Sequence, residues 1–230
     1  MKTAGIIGGL GPASTIDYYR ELTDGYRRRH GDDRYPEMLL CSVDMHTVVA
    51  LIEQRRHREL ADMLIATANR LAAAGADFAA IASNSPHVVW DLIDGKARIP
   101  FVSIVEAVCR HIAERGYRRP LVFATAFTMR GGLYADALAR HGIESVTPEG
   151  DDIRTLGDII YPNLENGIVV EADKARMTAI AERYIASRGC DSLLLGCTEI
   201  PLMIHPGDVS VPVVDSTRIH IEAIGREIEL

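Results

Sequence analysis

An α/β protein built from two similar parallel-sheet domains is what this 230-residue sequence predicts, on three observations. Short β-branched and apolar runs alternate with longer helix-period patterns, the rhythm of βαβ units. Three stretches of the first half recur in the second half, in order and at nearly one offset. No Pro- or Ser-rich linker and no low-complexity segment separates the halves, so the domains are expected in close contact.

In chain order, strands are expected at residues 3–7, 38–43, 78–82, 101–102, 120–123, 193–195 and 211–214. The run Arg27-Arg28-Arg29-His30 reads as a solvated helix end rather than a nucleic-acid patch. Between the second and third strands, Leu60, Met63, Leu64 and Leu71 fall on one helical face. Thr67 and Ala68 fill the turn between them, and the pattern ends near Gly75. Ser103 and Glu106 form a capping box that opens a helix over residues 104–115. Another amphipathic helix is expected at Glu171–Arg188, closed by Gly189.

The repeat is the most informative feature. Gly75-Ala76-Asp77-Phe78-Ala79-Ala80-Ile81-Ala82-Ser83-Asn84-Ser85 overlays Gly189-Cys190-Asp191-Ser192-Leu193-Leu194-Leu195-Gly196-Cys197-Thr198-Glu199 at an offset of 114. Ile99-Pro100-Phe101-Val102-Ser103 overlays Val211-Pro212-Val213-Val214-Asp215 at an offset of 112. Ile6-Ile7-Gly8-Gly9 and Tyr18 overlay Val122-Phe123-Ala124-Thr125 and Tyr134 at an offset of 116. The pattern is that of a duplicated unit. One domain is expected over residues 1–103 plus 213–230 and the other over 104–212, both flavodoxin- or Rossmann-like. A pseudo-twofold axis would relate them, with an active site in the cleft between.

Composition narrows the function. With 25 basic and 32 acidic side chains the net charge is −7, which argues against a nucleic-acid or anionic-membrane binder. No apolar run approaches the roughly 18 residues of a membrane span, and the N-terminus lacks a signal-peptide pattern. Four cysteines (Cys41, Cys109, Cys190 and Cys197) show no CxxC pair and no zinc-ligand spacing. A reduced, cytoplasmic protein without a metal is expected.

Ligands of an open parallel sheet bind beyond the carboxyl ends of its strands. Ser83 and Cys197 stand at equivalent strand ends, so two facing units would set them on opposite sides of one ligand. That suits chemistry at a tetrahedral carbon, where a proton leaves one face and returns to the other. Gly196 would let backbone approach a ligand closely, and Thr198 offers a hydroxyl and an amide to a carboxylate. The Gly8-Gly9-Leu10-Gly11 loop is a weak dinucleotide motif. Ser14 replaces its third glycine, and Asp44 lies 33 residues beyond Gly11 instead of about 20. Anion binding suits it better, its amides and a helix opened by Ser14 and Thr15 pointing at a carboxylate.

Four motifs resemble those of the aspartate/glutamate racemase family. They are Gly8-Gly9-Leu10-Gly11-Pro12, Ser83-Asn84-Ser85-Pro86-His87, Thr125-x-x-Thr128-Met129 and Gly196-Cys197-Thr198-Glu199-Ile200-Pro201. The similarity covers nearly the whole chain, in order. It implies an amino-acid racemase that needs no cofactor, and a homodimer to which Ala-rich helices would lend an interface. It also implies that Ser83 and Cys197 take the places of the family's paired acid and base. Asn84, Ser85, Thr125, Thr128 and Thr198 match positions that hold the substrate carboxylate, with amides near Leu10 and Gly11.

Two departures stand out. A thiol titrates near 8.5, and a lowered value would make Cys197 a competent base, but a serine hydroxyl is far too weak an acid. Ser83 could exchange a proton only through water or a neighbour such as His87, so strong asymmetry between the faces is expected. Family members acting on aspartate present basic side chains where this chain reads Asp44-Met45-His46-Thr47-Val48, a loop, and Leu164-Glu165-Asn166-Gly167. Neither segment holds Arg or Lys, and a buried unpaired carboxylate costs several kcal/mol. Glu165 is therefore expected to face a polar or cationic side chain.

Plainer roles stand beside these. Cys41, Cys109 and Cys190 have no such context and fit the core or its margin, Glu199 could cap the helix that follows, and His220 could be satisfied by neighbours at a helix start. Two other functions fit the same residues. One is a single-cysteine lyase such as a malonate-type decarboxylase, and the other a non-catalytic binder of small acids.

Overall fold

The computed structural model describes residues 1–31, 34–161 and 163–230. Its elements run β1 (Ala4–Gly8), α1 (Pro12–His30), β2 (Met38–Ser42), α2 (Met45–Glu53), α3 (His57–Ala73) and β3 (Phe78–Ile81). A 3₁₀ turn at Ser85–Val89, α4 (Trp90–Ile93), β4 (Phe101–Val102) and α5 (Ile104–Glu114) follow. The rest is β5 (Pro120–Phe123), α6 (Ala126–Arg130), α7 (Leu133–Arg140), α8 (Asp151–Ile160), a 3₁₀ turn at Leu164–Asn166 and α9 (Glu171–Arg188). Then come β6 (Ser192–Leu195), a 3₁₀ turn at Ile200–Leu202, β7 (Val213–Asp215) and α10 (Ser216–Glu229). Two compact units emerge: Met1–Ala107 with Thr217–Leu230, and Val108–Ser216.

In the first unit a parallel sheet has the order β2-β1-β3-β4. Central strands β1 and β3 are buried at every residue, which is why they read as unbroken apolar runs. Edge strand β2 is only half covered. Against one face pack Tyr18, Leu22 and Tyr26 of α1, spaced four apart, and Ile224 and Ile228 of α10, with the same spacing. Each large side chain sealed this way contributes about 1.5–3 kcal/mol. Helix α1 ends on Gly31, whose left-handed backbone donates its N–H to Arg27 O at 2.8 Å. The basic run forms its last turn, where positive charge meets the negative end of the helix dipole.

The second unit repeats the topology. Its sheet has the order β5-β6-β7, and the free edge of β5 carries one parallel bridge, Leu121 to Val146. Val122 N–H donates to Val146 O and Val146 N–H to Pro120 O, both at 2.8 Å. That bridge occupies the place of β2. Register repeats as well: Ile7 pairs with Ile81 as Phe123 pairs with Leu195, and Ala80 with Val102 as Leu194 with Val214. These are the residues that the sequence repeat overlays.

Several details differ from the sequence expectations. Met63 is only half buried on α3, whose sealed face is Leu60, Ala61, Leu64, Thr67, Ala68 and Leu71. Residues 45–48 are not loop but the first turn of α2, capped by Asp44, which accepts from the N–H groups of His46 and Thr47. The last strand starts at Val213, because Pro212 has no N–H for the ladder and only accepts, from Leu193 N–H at 2.9 Å. At α5, Glu106 N–H donates to Ser103 Oγ at 3.3 Å, the first half of the expected capping box. Among the described residues no helix is long and apolar enough to cross a membrane.

Candidate active site

In the first unit the carboxyl ends of β1 and β3 carry the singled-out residues. Past β1, Gly9 has φ +81°, and a Cβ there would lie 2.3 Å from Val43 O, so only glycine fits. Its N–H donates to Thr15 Oγ1 at 2.9 Å. Ser14 Oγ and Thr15 Oγ1 donate in turn to Gly11 O at 3.0 and 2.9 Å. The helix therefore opens one residue after Gly11, with Pro12 in its first turn, and Ser14 and Thr15 brace the loop instead of starting the helix. Leu10 and Gly11 are buried, and no hydrogen bond among the described residues engages either N–H.

Past β3, Ser83 N–H donates to Ile81 O at 2.8 Å, while its half-buried hydroxyl makes no hydrogen bond among the described residues. Asn84 is buried and Ser85 half-buried. His87 is 2% exposed, stacks on Trp90 with centroids 5.5 Å apart, and has no hydrogen bond at either ring nitrogen among the described residues. Burial, reinforced by His220, pushes its pKa down to about 3 against the opposing pull of the Asn84 and Ser83 backbone. At neutral pH the ring is neutral, so any proton it relays must pass through the uncharged imidazole.

His220 departs from its expected role. It is wholly buried and satisfied by distant partners: Tyr18 OH lies 2.7 Å from Nδ1 and Val102 O 2.9 Å from Nε2. A carbonyl only accepts, so Nε2 carries the proton and Nδ1 accepts from Tyr18. Burial lowers its pKa to about 4.

The second unit places Cys197 past the end of β6, 4% exposed. Gly196 before it answers to packing: a Cβ would lie 2.8 Å from Cε2 of the buried Tyr134 ring, so room for this ring alone calls for a glycine. Cys197 Sγ donates to Glu199 Oε2 at 3.2 Å, and Thr198 Oγ1 donates to the same oxygen at 2.7 Å. Thr198 thus commits its hydroxyl proton to Glu199, while no hydrogen bond among the described residues engages its amide. Glu199 is 6% exposed and its side chain caps no helix, contrary to the capping role.

The thiol is not lowered, though lowering is the condition that would make it a competent base unaided. Burial and the Glu199 charge raise its pKa well above the ordinary value, against the backbone N–H groups of Glu199 and Ile200. Thr125 caps α6: its Oγ1 accepts from Thr128 N–H at 3.2 Å and donates to Thr128 Oγ1 at 3.0 Å. Glu165 lies half-buried in the Leu164–Asn166 turn. Cys109 and Cys190 are buried and Cys41 half-buried, and none of the four cysteines is in a disulfide. Among the described residues no cluster of three or more His, Cys, Asp or Glu could hold a metal ion.

Sequence reasoning found the strand-end residues but missed the Cys197–Glu199 bond and the Tyr18–His220–Val102 chain. For the first, the i, i+2 spacing of a thiol and an acid was a usable signal. For the second, with partners 202 and 118 residues apart, there was none.

Known proteins share this architecture. A Yersinia pestis structure solved as a proposed Asp/Glu racemase is 32% identical over the whole of both chains, with a TM-score of 0.91. An aspartate racemase homologue from Pyrococcus horikoshii OT3 is 35% identical, again over both full chains, with a TM-score of 0.85. The broad specificity amino-acid racemase RacX of Bacillus subtilis is 23% identical over 216 residues, 93% of this chain and 92% of its own. The model of the Asp/Glu/Hydantoin racemase family matches residues 7–224, from within β1 to within α10, and the chain belongs to that family.

Proposed function

We propose that this protein is a cofactor-independent amino-acid racemase in which Cys197 serves one face of the substrate Cα and Ser83 the other. Family membership makes it an isomerase acting on amino acids. The observation that carries the finer reading is the matched pair of strand ends. Ser83 follows Ile81 as Cys197 follows Leu195, each beyond a strand whose last residue pairs with the fourth residue of its unit's first strand, Ile7 of β1 and Phe123 of β5. Such an assembly interconverts L and D forms by removing the Cα proton on one side and returning one on the other.

The Cα–H is a weak acid, and negative charge moves onto the carboxylate as the proton leaves. Stabilising that enediolate-like state falls to the amides of Leu10 and Gly11, to Asn84 and Ser85, and to Thr125, Thr128 and the Thr198 amide. His87 is the neighbour through which Ser83 would trade its proton. Detailed balance still holds, so a slow Ser83 face slows both directions and leaves the product racemic.

For the side chain, Asp44 is committed to capping α2, His46 is exposed, and Glu165 adds negative charge. These features support a polar or cationic amino acid over aspartate, and the broad specificity named for RacX accords with it. Cytoplasmic residence is supported by four cysteines that stay unoxidised to disulfides, and a homodimer by Ile16 and Tyr19, exposed one turn apart on α1.

The test is deuterium incorporation at Cα from single enantiomers in deuterium oxide. Exchange with loss of optical rotation is expected, together with a fall of several orders of magnitude in Cys197→Ala. Retention of more than about a tenth of the rate, roughly 1.4 kcal/mol of barrier, removes Cys197 from the role. Exchange with retained handedness, or carbon dioxide from a malonate, points to one-sided lyase chemistry. Binding without exchange marks a non-catalytic binder.

A further inference from the structure

Deepening the racemase reading, on which it rests, we infer that Glu199 acts through Cys197 as its proton store, the two groups working as one couple that never carries fewer than one proton. Three observations support this. Cys197 Sγ points its proton at Glu199 Oε2, 3.2 Å away, and both groups are buried. Thr198 Oγ1 donates to the same oxygen at 2.7 Å, which fixes the carboxylate toward the sulfur. The side chain caps no backbone group of the turn it precedes, so helix capping does not explain a carboxylate in this place.

The proton balance follows. At rest the couple holds one proton, as thiol beside carboxylate. To act as base, the thiol passes its proton to Glu199, and the sulfur's lone pair then takes the Cα proton as the C–H electrons move into the enediolate. The couple now holds two protons, a thiol beside a carboxylic acid, and has lost one negative charge. To act as acid it runs in reverse: the thiol protonates Cα, and the Glu199 proton returns to the sulfur. A thiolate never has to stand beside a carboxylate, the arrangement that burial and like charge penalise most. The couple therefore titrates as a pair, with values belonging to neither residue alone.

This differs in sign from a merely electrostatic role. If Glu199 only repels the thiolate, Glu199→Gln removes an obstacle, and exchange should be unchanged or faster. If Glu199 stores the proton, the same variant ionises its thiol more easily yet loses its store. The experiment follows thiolate ultraviolet absorbance against pH, with Cys197→Ala subtracted to remove the other three cysteines, alongside Cα deuterium exchange. In Glu199→Gln the thiolate is expected at lower pH than in the wild type, while exchange on the Cys197 face falls at least a hundredfold. Glu199→Asp, which keeps a carboxyl group but sets it back by one methylene, should recover part of the rate and so exclude a folding defect.

Exchange undiminished in Glu199→Gln overturns the inference, and so does a thiolate titration that does not move. A wild-type protein that exchanges no Cα hydrogen of any amino acid sinks the racemase reading instead. That failure is distinguishable, because the thiolate titration needs no substrate.

Discussion

The two buried histidines of the first unit make its stability depend on pH in a defined window. In the unfolded chain both titrate near 6.5, whereas burial holds His220 at about 4 and His87 at about 3 in the fold. A depressed folded value means that the unfolded state binds the extra protons, so stability is full above pH 6.5 and is lost as pH falls below it. Between pH 6.5 and 4 two protons separate the states, which gives a slope of about 3 kcal/mol per pH unit. Over the whole window His220 accounts for about 3 kcal/mol and His87 for about 5, at ~1.4 kcal/mol per unit. Carboxylates such as Asp152 and Asp208, held down by Arg183 and Lys174, lose their contributions only below the ordinary carboxylate range. Urea unfolding at steps of pH, followed through the single tryptophan, Trp90, reads this directly because Trp90 lies in the same unit and stacks on His87. The variant His87→Gln should cut the slope to about half. Stability that is flat from pH 6.5 to 4.5, or a slope that His87→Gln leaves untouched, would refute the reasoning.

Other outcomes follow from single positions. Ser83→Cys supplies the weak face with a thiol, and racemisation measured by optical rotation should rise; no rise would mean that the protein is not built for transfer on two faces. Gly196→Ala places a methyl 2.8 Å from the Tyr134 ring, between strand and helix, and should cost about 1–3 kcal/mol in denaturant unfolding. An unchanged midpoint would show that the ring can yield.

The sheet was legible because its central strands are buried on both faces and so spell continuous apolar runs. The duplication was legible because Ile81 and Leu195, or Val102 and Val214, occupy equal places in equal registers. Helix α2 escaped notice because Asp44-Met45-His46-Thr47 looks like any polar turn, and its cap is a local bond that many turns share. Gly196 illustrates a subtler gap. A glycine at a strand end signals a close approach but not what approaches, and Tyr134, 62 residues away, could not be named from the sequence. The raised thiol of Cys197 was hidden for a related reason, since burial belongs to the whole fold and only the adjacent acid belongs to the motif.

The copies have diverged in their proton chemistry more than in their backbone. Beyond β3 the groups at hand are a serine hydroxyl and the His87 imidazole, which burial keeps neutral; beyond β6 they are a thiol and a carboxylate sharing a hydrogen bond. Tyr18 and Tyr134 occupy matching places in the repeat, yet Tyr18 bonds His220 whereas Tyr134 bonds Ser216. His220 corresponds to Val108 at the offset of 112, so the second copy has no imidazole to offer there. A thiol introduced at Ser83 would have Ser85 two residues on, where Cys197 has Glu199, so no adjacent carboxylate would hold it protonated and it would ionise more readily than Cys197 does. The rate gained in Ser83→Cys should therefore persist at a pH where Cys197 is still protonated. A gain that appears only as Cys197 itself titrates would mean that the second copy limits both faces, and that the divergence of the first is not what slows the reaction.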